Sequence, residues 1–165
     1  LRGFATFAGE GTGTGIRGGT VLAVLLSIET NAGISSRAAC WNYNFGNFKL
    51  FSAQWHAEQT PPCYFLVDRV PSLDYYPSFD NAADGVRAWS NATFGNSRYD
   101  SHGTMDALRA GDIRAFTRAI GDCGYARMYH NPRSMDARAR RLASLGVIDL
   151  SNLTFNEAIP SRVAV

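Results

Sequence analysis

The most apolar stretch of the chain runs over residues 20–29, TVLAVLLSIE. Apolar side chains occupy nearly every side of this stretch in a helical projection, which is typical of a helix buried in a core. Thr20 follows the flexible Gly18-Gly19 pair and is an acceptable N-cap. The pattern therefore predicts a central buried helix that ends in a carboxylic acid, Glu29.

After this helix the pattern becomes strand-like. Two short stretches, Phe51 to Trp55 and Tyr64 to Val70, are rich in β-formers, and Gln59-Thr60-Pro61-Pro62 separates them. Proline pairs of this kind mark turns and loops. The segment predicts a hairpin or a longer loop between two strands.

From residue 79 onward the apolar period is helical again. One helix is predicted there with Ser78 or Asp80 as its N-cap. Three more helices follow. Thr104 is predicted to cap a short helix that ends at Ala110, and Gly111-Asp112 to open a helix that Gly121 and Gly124 close. The last helix is predicted from Ser134 to Ser144. The apolar positions expected to face the core are Phe79, Ala82, Ala83, Val86, Trp89, Ile113, Phe116, Ile120, Met135, Ala139 and Leu142.

The two ends of the chain lack such periodicity. Residues 1–19 are rich in glycine and are interpreted as a flexible lead-in, and residues 147–165 as an irregular tail. The run Gly11-Thr-Gly-Thr-Gly15 lacks the Lys-Ser/Thr ending of a phosphate loop, and no strand precedes it. The folded body is therefore expected over residues 20–146.

Composition limits the function without deciding it. The 165 residues suit one domain, and 45% hydrophobic content is enough for a core. A formal charge of +2 is too small to indicate nucleic-acid binding. The apolar run VLAVLLSI is too short to span a membrane. The chain has no start methionine and no signal peptide, so we expect a processed product or a piece of a larger protein.

The cysteines and histidines match no metal-site spacing, and no metal or cofactor is expected. Cys40, Cys63 and Cys123 are three in number and cannot all pair within one chain. A Cys40–Cys63 disulfide and three reduced thiols both remain open.

Glu29 is the main candidate for chemistry. Burial disfavours a carboxylate, and so does the negative end of a helix dipole. Both effects raise the pKa toward the range in which a carboxyl group can hold a proton and donate it to a glycosidic oxygen. The alternative is a glutamate that reaches solvent beyond the helix end.

Four short motifs, taken in order, resemble those of the glucosaminidases of glycoside hydrolase family 73, in the lysozyme-like superfamily. Glu29-Thr-Asn-Ala-Gly33-Ile-Ser35 resembles E-S-x-x-G-x-S. Tyr43-Asn44-Phe45-Gly46-Asn47-Phe48-Lys49 resembles N-x-F-G-I-K, with Asn47-Phe48 in place of one isoleucine. Tyr75-Tyr76-Pro77-Ser78-Phe79 is similar to F-R-x-Y-x-S, and Gly124-Tyr125-Ala126 resembles the family's G-Y-A segment.

The resemblance implies an α+β, mainly α, lysozyme-like fold with a helical lobe and a small β-hairpin lobe. It implies hydrolysis of the glycan strand of peptidoglycan without a cofactor. Glu29 would be the general acid, Glu58 a second acid with Asp68 and Asp74 as competitors, and Tyr125 a residue facing Glu29. The substrate-binding residues would be Trp41, Tyr43, Asn44, Phe45, Gly46 and Trp55; for the aromatic ones, core packing is the alternative.

Two other functions remain open on the same scaffold. A lytic transglycosylase would use one glutamate as acid and base and would release an anhydro sugar. A structural or wall-binding part of a phage tail or secretion apparatus would have kept the fold and lost activity. The departure at Asn47-Phe48, and the missing tryptophan after Ser35, leave room for that last function. An extracytoplasmic or virion-associated location is expected in each case.

Overall fold

The computed structural model describes residues 3–29, 43, 63–67, 73–77, 79–95, 97–100, 102–125 and 132–156, and this part of the chain is mainly helical. Its elements are α1 (Phe4–Thr12), α2 (Gly15–Glu29), β1 (Cys63–Val67), β2 (Leu73–Pro77), α3 (Ala82–Phe94), α4 (Ser97–Asp100), α5 (Thr104–Ala110), α6 (Ile113–Asp122), α7 (Pro132–Ser144) and a 3-10 helix (Leu150–Asn152).

Helix α2 lies at the centre of the helical body. It packs against α1, α5, α7 and the 3-10 helix, and every residue from Gly18 to Ser27 is buried. The predicted buried helix is therefore confirmed, but it begins five residues earlier than expected, at Gly15. Thr20 is consequently not a cap: its hydroxyl donates to the Ile16 carbonyl at 2.7 Å inside the helix.

The expectation of a flexible lead-in over residues 1–19 is wrong for α1 and for the first turns of α2. Phe4 and Ala8 are buried in the common core. The glycines allow this packing, since a Cβ at Gly9 would collide with the Gly15 carbonyl and one at Gly19 with the Ala5 carbonyl. These glycines therefore let the backbones of α1 and α2 approach closely, and they do not make the segment flexible.

The downstream helices lie close to their predicted positions. Asn81 is the N-cap of α3, since its side-chain oxygen accepts from the Asp84 amide at 3.0 Å, so neither Ser78 nor Asp80 has that role. Thr104 is not a cap, because α5 has Gly103 at its N-cap position and Thr104 is the first residue of the helix. The helix α6 opens at Gly111-Asp112 as predicted, and Asp112 caps it by accepting from the Arg114 and Ala115 amides at 3.1 Å.

The C-terminal tail is irregular as predicted up to residue 156, but it packs against the body. Leu153 is buried, and Thr154 forms a parallel bridge with Asp112. The Thr154 amide donates to the Gly111 carbonyl at 2.9 Å, and the Asn156 side chain donates to the Asp112 carboxylate at 3.1 Å. These contacts join the tail to the loop between α5 and α6.

The two described strands pair antiparallel, with Cys63 opposite Pro77 and Val67 opposite Leu73. The predicted strand from Tyr64 to Val70 therefore pairs with the segment after it. The other predicted strand, Phe51 to Trp55, lies outside the described part of the chain. The connecting sequence contains Pro71 and Ser72, residue types that favour turns. A β-lobe set against a helical lobe, as in lysozymes, remains a prediction.

Candidate active site

Glu29 is the last residue of α2 and is half-buried. The buried helix carries it to the boundary of the core, as the apolar pattern predicts. Burial raises the pKa of this carboxyl above its ordinary value of 4.5, and a hydrogen bond from Tyr125 opposes part of the rise. Glu29 lies within the last turn of α2, with its Oε1 atom buried, so its carboxyl is not fully solvated.

Tyr125 is placed by the C-terminal end of α6. Gly124 has a left-handed backbone with φ of 77°, and its amide donates to the Gly121 carbonyl at 2.9 Å. The Tyr125 amide donates to the Ile120 carbonyl at 3.0 Å. These two bonds form a Schellman motif with Gly124 at its left-handed position. The motif ends the helix and brings the next residue, Tyr125, back to the core.

The side chain of Tyr125 reaches Glu29 at the end of α2, and the two side chains form a hydrogen bond. An ionised carboxylate can only accept, so the Tyr125 hydroxyl is the donor. The bond therefore joins the ends of α2 and α6.

The electrostatics keep Tyr125 in its donor form. Burial raises the pKa of its hydroxyl far above the usual 10.0, and the nearby Glu29 charge raises it further. A phenol in this position stays protonated at any pH at which the protein works. It is a fixed donor aimed at the carboxylate.

The second oxygen of Glu29 is in a different environment. Oε1 is buried and accepts no hydrogen bond from any residue that the structure describes. A buried carboxylate oxygen without a donor disfavours the charged form, because desolvation is not compensated. This oxygen is the natural position for an exchangeable proton, while the other oxygen takes the bond from Tyr125.

An aromatic cluster holds the rings around this site. Phe94 lies at its centre, with ring centroids 5.7 Å from Trp89, 5.5 Å from Tyr99, 5.6 Å from Phe116 and 5.8 Å from Tyr125. Edge-on and tilted contacts at these separations are favourable for aromatic pairs. The cluster fixes the orientation of Trp89 and Tyr125 from the core side.

Tyr43 lies against α3, the helix that carries Trp89. Its backbone is left-handed, with φ of 54°, and a Cβ at Gly85 would collide with its carbonyl oxygen. Gly85 and Trp89 are four residues apart and share one face of α3. The Tyr43 side chain is 39% exposed, so it is a surface aromatic residue and not part of the core.

The remaining predicted site residues fall outside the described part of the chain. They are Trp41, Asn44, Phe45, Gly46, Trp55 and Glu58. Asp68 and Cys40 also lie outside it, while Cys123 is buried. Within the described residues, no group of three or more His, Cys, Asp or Glu side chains is arranged to hold a metal ion.

Comparisons with protein-family models, with curated proteins and with solved structures each gave no match. The functional argument therefore depends on the chemistry of the site and on the motif resemblance. No helix in the described ranges has the length and apolar character that crossing a membrane requires.

Phe94 is the residue beside the site that the sequence pattern does not single out. It is fully buried, and its ring contacts the Tyr125 ring at 5.8 Å. Its neighbour Trp89 falls at a core position of the α3 period and is 1% exposed. Only the fold shows that this aromatic packing lies next to Tyr125.

Proposed function

We propose that this protein is a glycoside hydrolase that cleaves the β-1,4 glycan strand of peptidoglycan, with Glu29 as its general acid. The observation that carries the proposal is the state of Glu29, a half-buried carboxyl with a raised pKa and one buried oxygen that has no donor among the described residues. A carboxyl group in this state can hold a proton near neutral pH and release it to a leaving oxygen.

Tyr125 completes the acid. When Glu29 gives up its proton, negative charge develops on the carboxylate, and the Tyr125 hydroxyl already donates to it. A preformed donor at the place where charge develops stabilises the transition state more than the ground state. The contact of Glu29 with Tyr125 also supports the resemblance, in which these two residues belong to the first and last motifs.

The glycan substrate is proposed from the resemblance and from the chemistry of the site. Glycoside hydrolysis needs a proton for the leaving oxygen and help for an oxocarbenium-like centre. Glu58 is the proposed second carboxylate, and the N-acetyl group of the substrate is the alternative source of help. Tyr43 and Trp41 would offer flat faces to sugar rings. The proposed location is extracytoplasmic or virion-associated, with other subunits of a phage virion or secretion assembly as proposed partners.

Digestion of purified peptidoglycan tests this function. Wild type is compared with Glu29→Gln and with Glu10→Gln, a matched control that removes an exposed carboxylate on α1. We expect wild type and Glu10→Gln to release muropeptides at similar rates. General acids contribute about 10²- to 10⁴-fold, so Glu29→Gln should be slower by that factor. Wall binding without cleavage by the folded wild type would contradict the proposal.

The products decide between a hydrolase and a transglycosylase. Mass spectrometry of the new ends is expected to show reducing sugars, and the sugar at that end identifies the bond. Glu58→Gln is expected to lower the rate if this residue is the second carboxylate. Anhydro ends that persist in Glu58→Gln would replace hydrolysis by lytic transglycosylation.

A further inference from the structure

We propose that the outer surface of α6 and α7 binds a linear phosphodiester polymer of the cell wall, an inference that deepens the proposed function and rests on it for the wall location. Four exposed arginines of these two helices define this surface, here called the basic face: Arg118, Arg133, Arg140 and Arg141. The ligand is an extended chain that carries a phosphate in each repeat.

Positive charge is concentrated in this part of the sequence. Residues 113–144 contain seven of the sixteen basic residues and two of the fourteen acidic residues, so their formal charge is +5. The whole chain has a formal charge of +2, which leaves −3 for all the other residues together. Such an asymmetry favours the attraction of a polyanion to one region of the molecule. The small net charge therefore conceals a strongly basic region.

The acids of α6 and α7 do not neutralise the basic face. Asp136 accepts two bonds from Arg114, at 3.0 and 2.7 Å, so its charge is already compensated. Asp122 is exposed at the last position of α6. No ion pair with a carboxylate of the described residues is formed by three members of the face, Arg118, Arg140 and Arg141. Their charges are available to a ligand.

The arginines lie along two antiparallel helices. Thr154 pairs with Asp112 at the start of α6. The next residue, Phe155, lies under Arg140, with 5.0 Å between the guanidinium carbon and the ring centroid. The start of α6 is therefore beside the second half of α7, and Arg118 lies toward the start of α7. The arginines of α7 extend over about 12 Å, at 1.5 Å per residue, so an extended chain can contact them in turn.

The chemistry of the basic face fits phosphate better than nucleic-acid bases. The planar guanidinium fork matches the oxygens of a phosphate group and can bind two of them at once. Proteins that bind single-stranded nucleic acids add exposed aromatic rings on which bases stack. Neither α6 nor α7 exposes such a ring, because Phe116 is buried and α7 contains no aromatic residue. A polymer without bases is therefore the better match.

The burial of the apolar side of α7 argues against a lipid surface. A helix that binds at a membrane interface inserts its apolar face among the lipids. In α7 the apolar residues Met135, Ala139 and Leu142 are buried in the protein core. The helix therefore meets a polyanion through its arginines.

Binding of fluorescently labelled poly(glycerol phosphate) tests the inference. Anisotropy of the polymer is measured over a salt series with wild type, with Arg118→Gln/Arg141→Gln, and with Arg87→Gln/Arg109→Gln. The last is a matched control, since it removes the same charge from exposed arginines of α3 and α5. An exposed ion pair is worth about 1.4- to 5-fold, so the first variant should bind roughly two- to thirtyfold more weakly than wild type. Its affinity should also fall less steeply with salt.

The control variant should bind like wild type. Equal losses in the two double variants, or no binding by wild type at low salt, would overturn the inference. Tighter binding of single-stranded DNA or of phosphatidylglycerol vesicles than of the polymer would overturn it as well. If Arg118→Gln/Arg141→Gln does not fold, the two single variants are measured, and each should weaken binding about 1.4- to 5-fold.

The outcome is distinct from that of the proposed function. The probe contains no glycan strand, so its binding is measured whether or not peptidoglycan is cleaved. Arg118→Gln/Arg141→Gln should release muropeptides at the wild-type rate from peptidoglycan stripped of its phosphate polymer. A reduced rate on this stripped substrate would show that the basic face serves cleavage itself and would overturn the inference.

Discussion

At the scale of single residues, the site depends on a balance at Glu29. Burial raises the pKa of the carboxyl, and the Tyr125 hydrogen bond lowers it. The first effect is larger, so the group retains its proton to higher pH than an exposed glutamate. A carboxyl without the tyrosine bond would hold its proton more strongly but would lose a donor for the charge left after transfer. In the proposed reaction, Glu29 would hold and donate the proton, and Tyr125 would stabilise the charge that remains.

This balance predicts a pH-dependent effect of Glu29→Gln on stability. A carboxyl with a raised folded-state pKa binds its proton more tightly in the folded protein. Its contribution to stability is therefore full below the unfolded value of 4.5 and is lost as pH rises through the folded pKa. Glutamine stays neutral, so Glu29→Gln should be more stable than wild type at pH 7 and similar to it at pH 4. Thermal unfolding at a series of pH values measures the difference.

The control for this experiment is Glu10→Gln. Glu10 lies on the surface and accepts a hydrogen bond from Arg87 at 2.6 Å. Removing its charge should give no gain in stability at pH 7. A Glu29→Gln difference that is the same at both pH values would contradict the account of Glu29.

The sequence singles out Glu29 and Tyr125 but not the aromatic packing around them. Glu29 follows from an apolar run that ends in an acid, and Tyr125 from its place in a motif. Phe94 does not belong to any predicted apolar face, yet its ring contacts the rings of Trp89, Tyr99, Phe116 and Tyr125. Periodicity reports which face of a helix is buried and says nothing of which residue on another element it will contact.

At the scale of elements, the close contact between α1 and α2 is the feature that a single substitution would disturb most directly. Both helices have glycine where their backbones meet, at Gly9 and Gly19. The glycines of residues 1–19 predict a flexible lead-in, because glycine is common in linkers. Glycine spacing alone does not distinguish a linker from a helix contact. The difference lies in what faces each glycine, which only the fold shows.

Gly19→Ala should therefore destabilise the protein. In an exposed helix interior alanine is better than glycine by roughly 0.5–1 kcal/mol. At Gly19 the new Cβ would collide with the Ala5 carbonyl, which belongs to a backbone and cannot rotate away. We expect a net loss of about 1–3 kcal/mol, typical of an overpacked core, in urea unfolding.

Ile16→Ala is the control on the outer face of the same helix. Ile16 is 48% exposed, so its replacement should change the free energy of unfolding by less than about 0.5 kcal/mol. A Gly19→Ala protein as stable as wild type would show that α1 does not pack closely against α2.

At the scale of the whole molecule, α2 is the helix against which several others pack, and the tail packs against α2, α7 and the loop between α5 and α6. The all-round apolar pattern of residues 20–29 predicts a central position, and this is confirmed. The positions of α3, α5, α6 and α7 also follow from their periods. The pairing of the strands does not follow from the sequence pattern. A strand such as β1 can pair with the segment before it or the segment after it, and the local pattern of side chains does not determine which.

The packed tail predicts unequal effects of two leucine substitutions. Leu153 is 6% exposed between the tail and the body, whereas Leu145 is 56% exposed after α7. Truncating a buried leucine to alanine costs about 2–5 kcal/mol. Leu153→Ala should therefore lower stability by that amount, and Leu145→Ala by less than about 0.5 kcal/mol. Equal effects in urea unfolding would show that the tail does not pack as described.

The most direct test of the central claim is whether the loss of cleavage rate in Glu29→Gln depends on the leaving group of the substrate. A peptidoglycan oligosaccharide with its natural sugar leaving group needs a proton at the departing oxygen, while its dinitrophenyl glycoside does not. Cleavage of both substrates is measured for wild type and Glu29→Gln. The account predicts a loss of at least about 10²-fold on the natural bond and less than about tenfold on the dinitrophenyl glycoside. Equal losses on both substrates would contradict the role of Glu29 as the general acid.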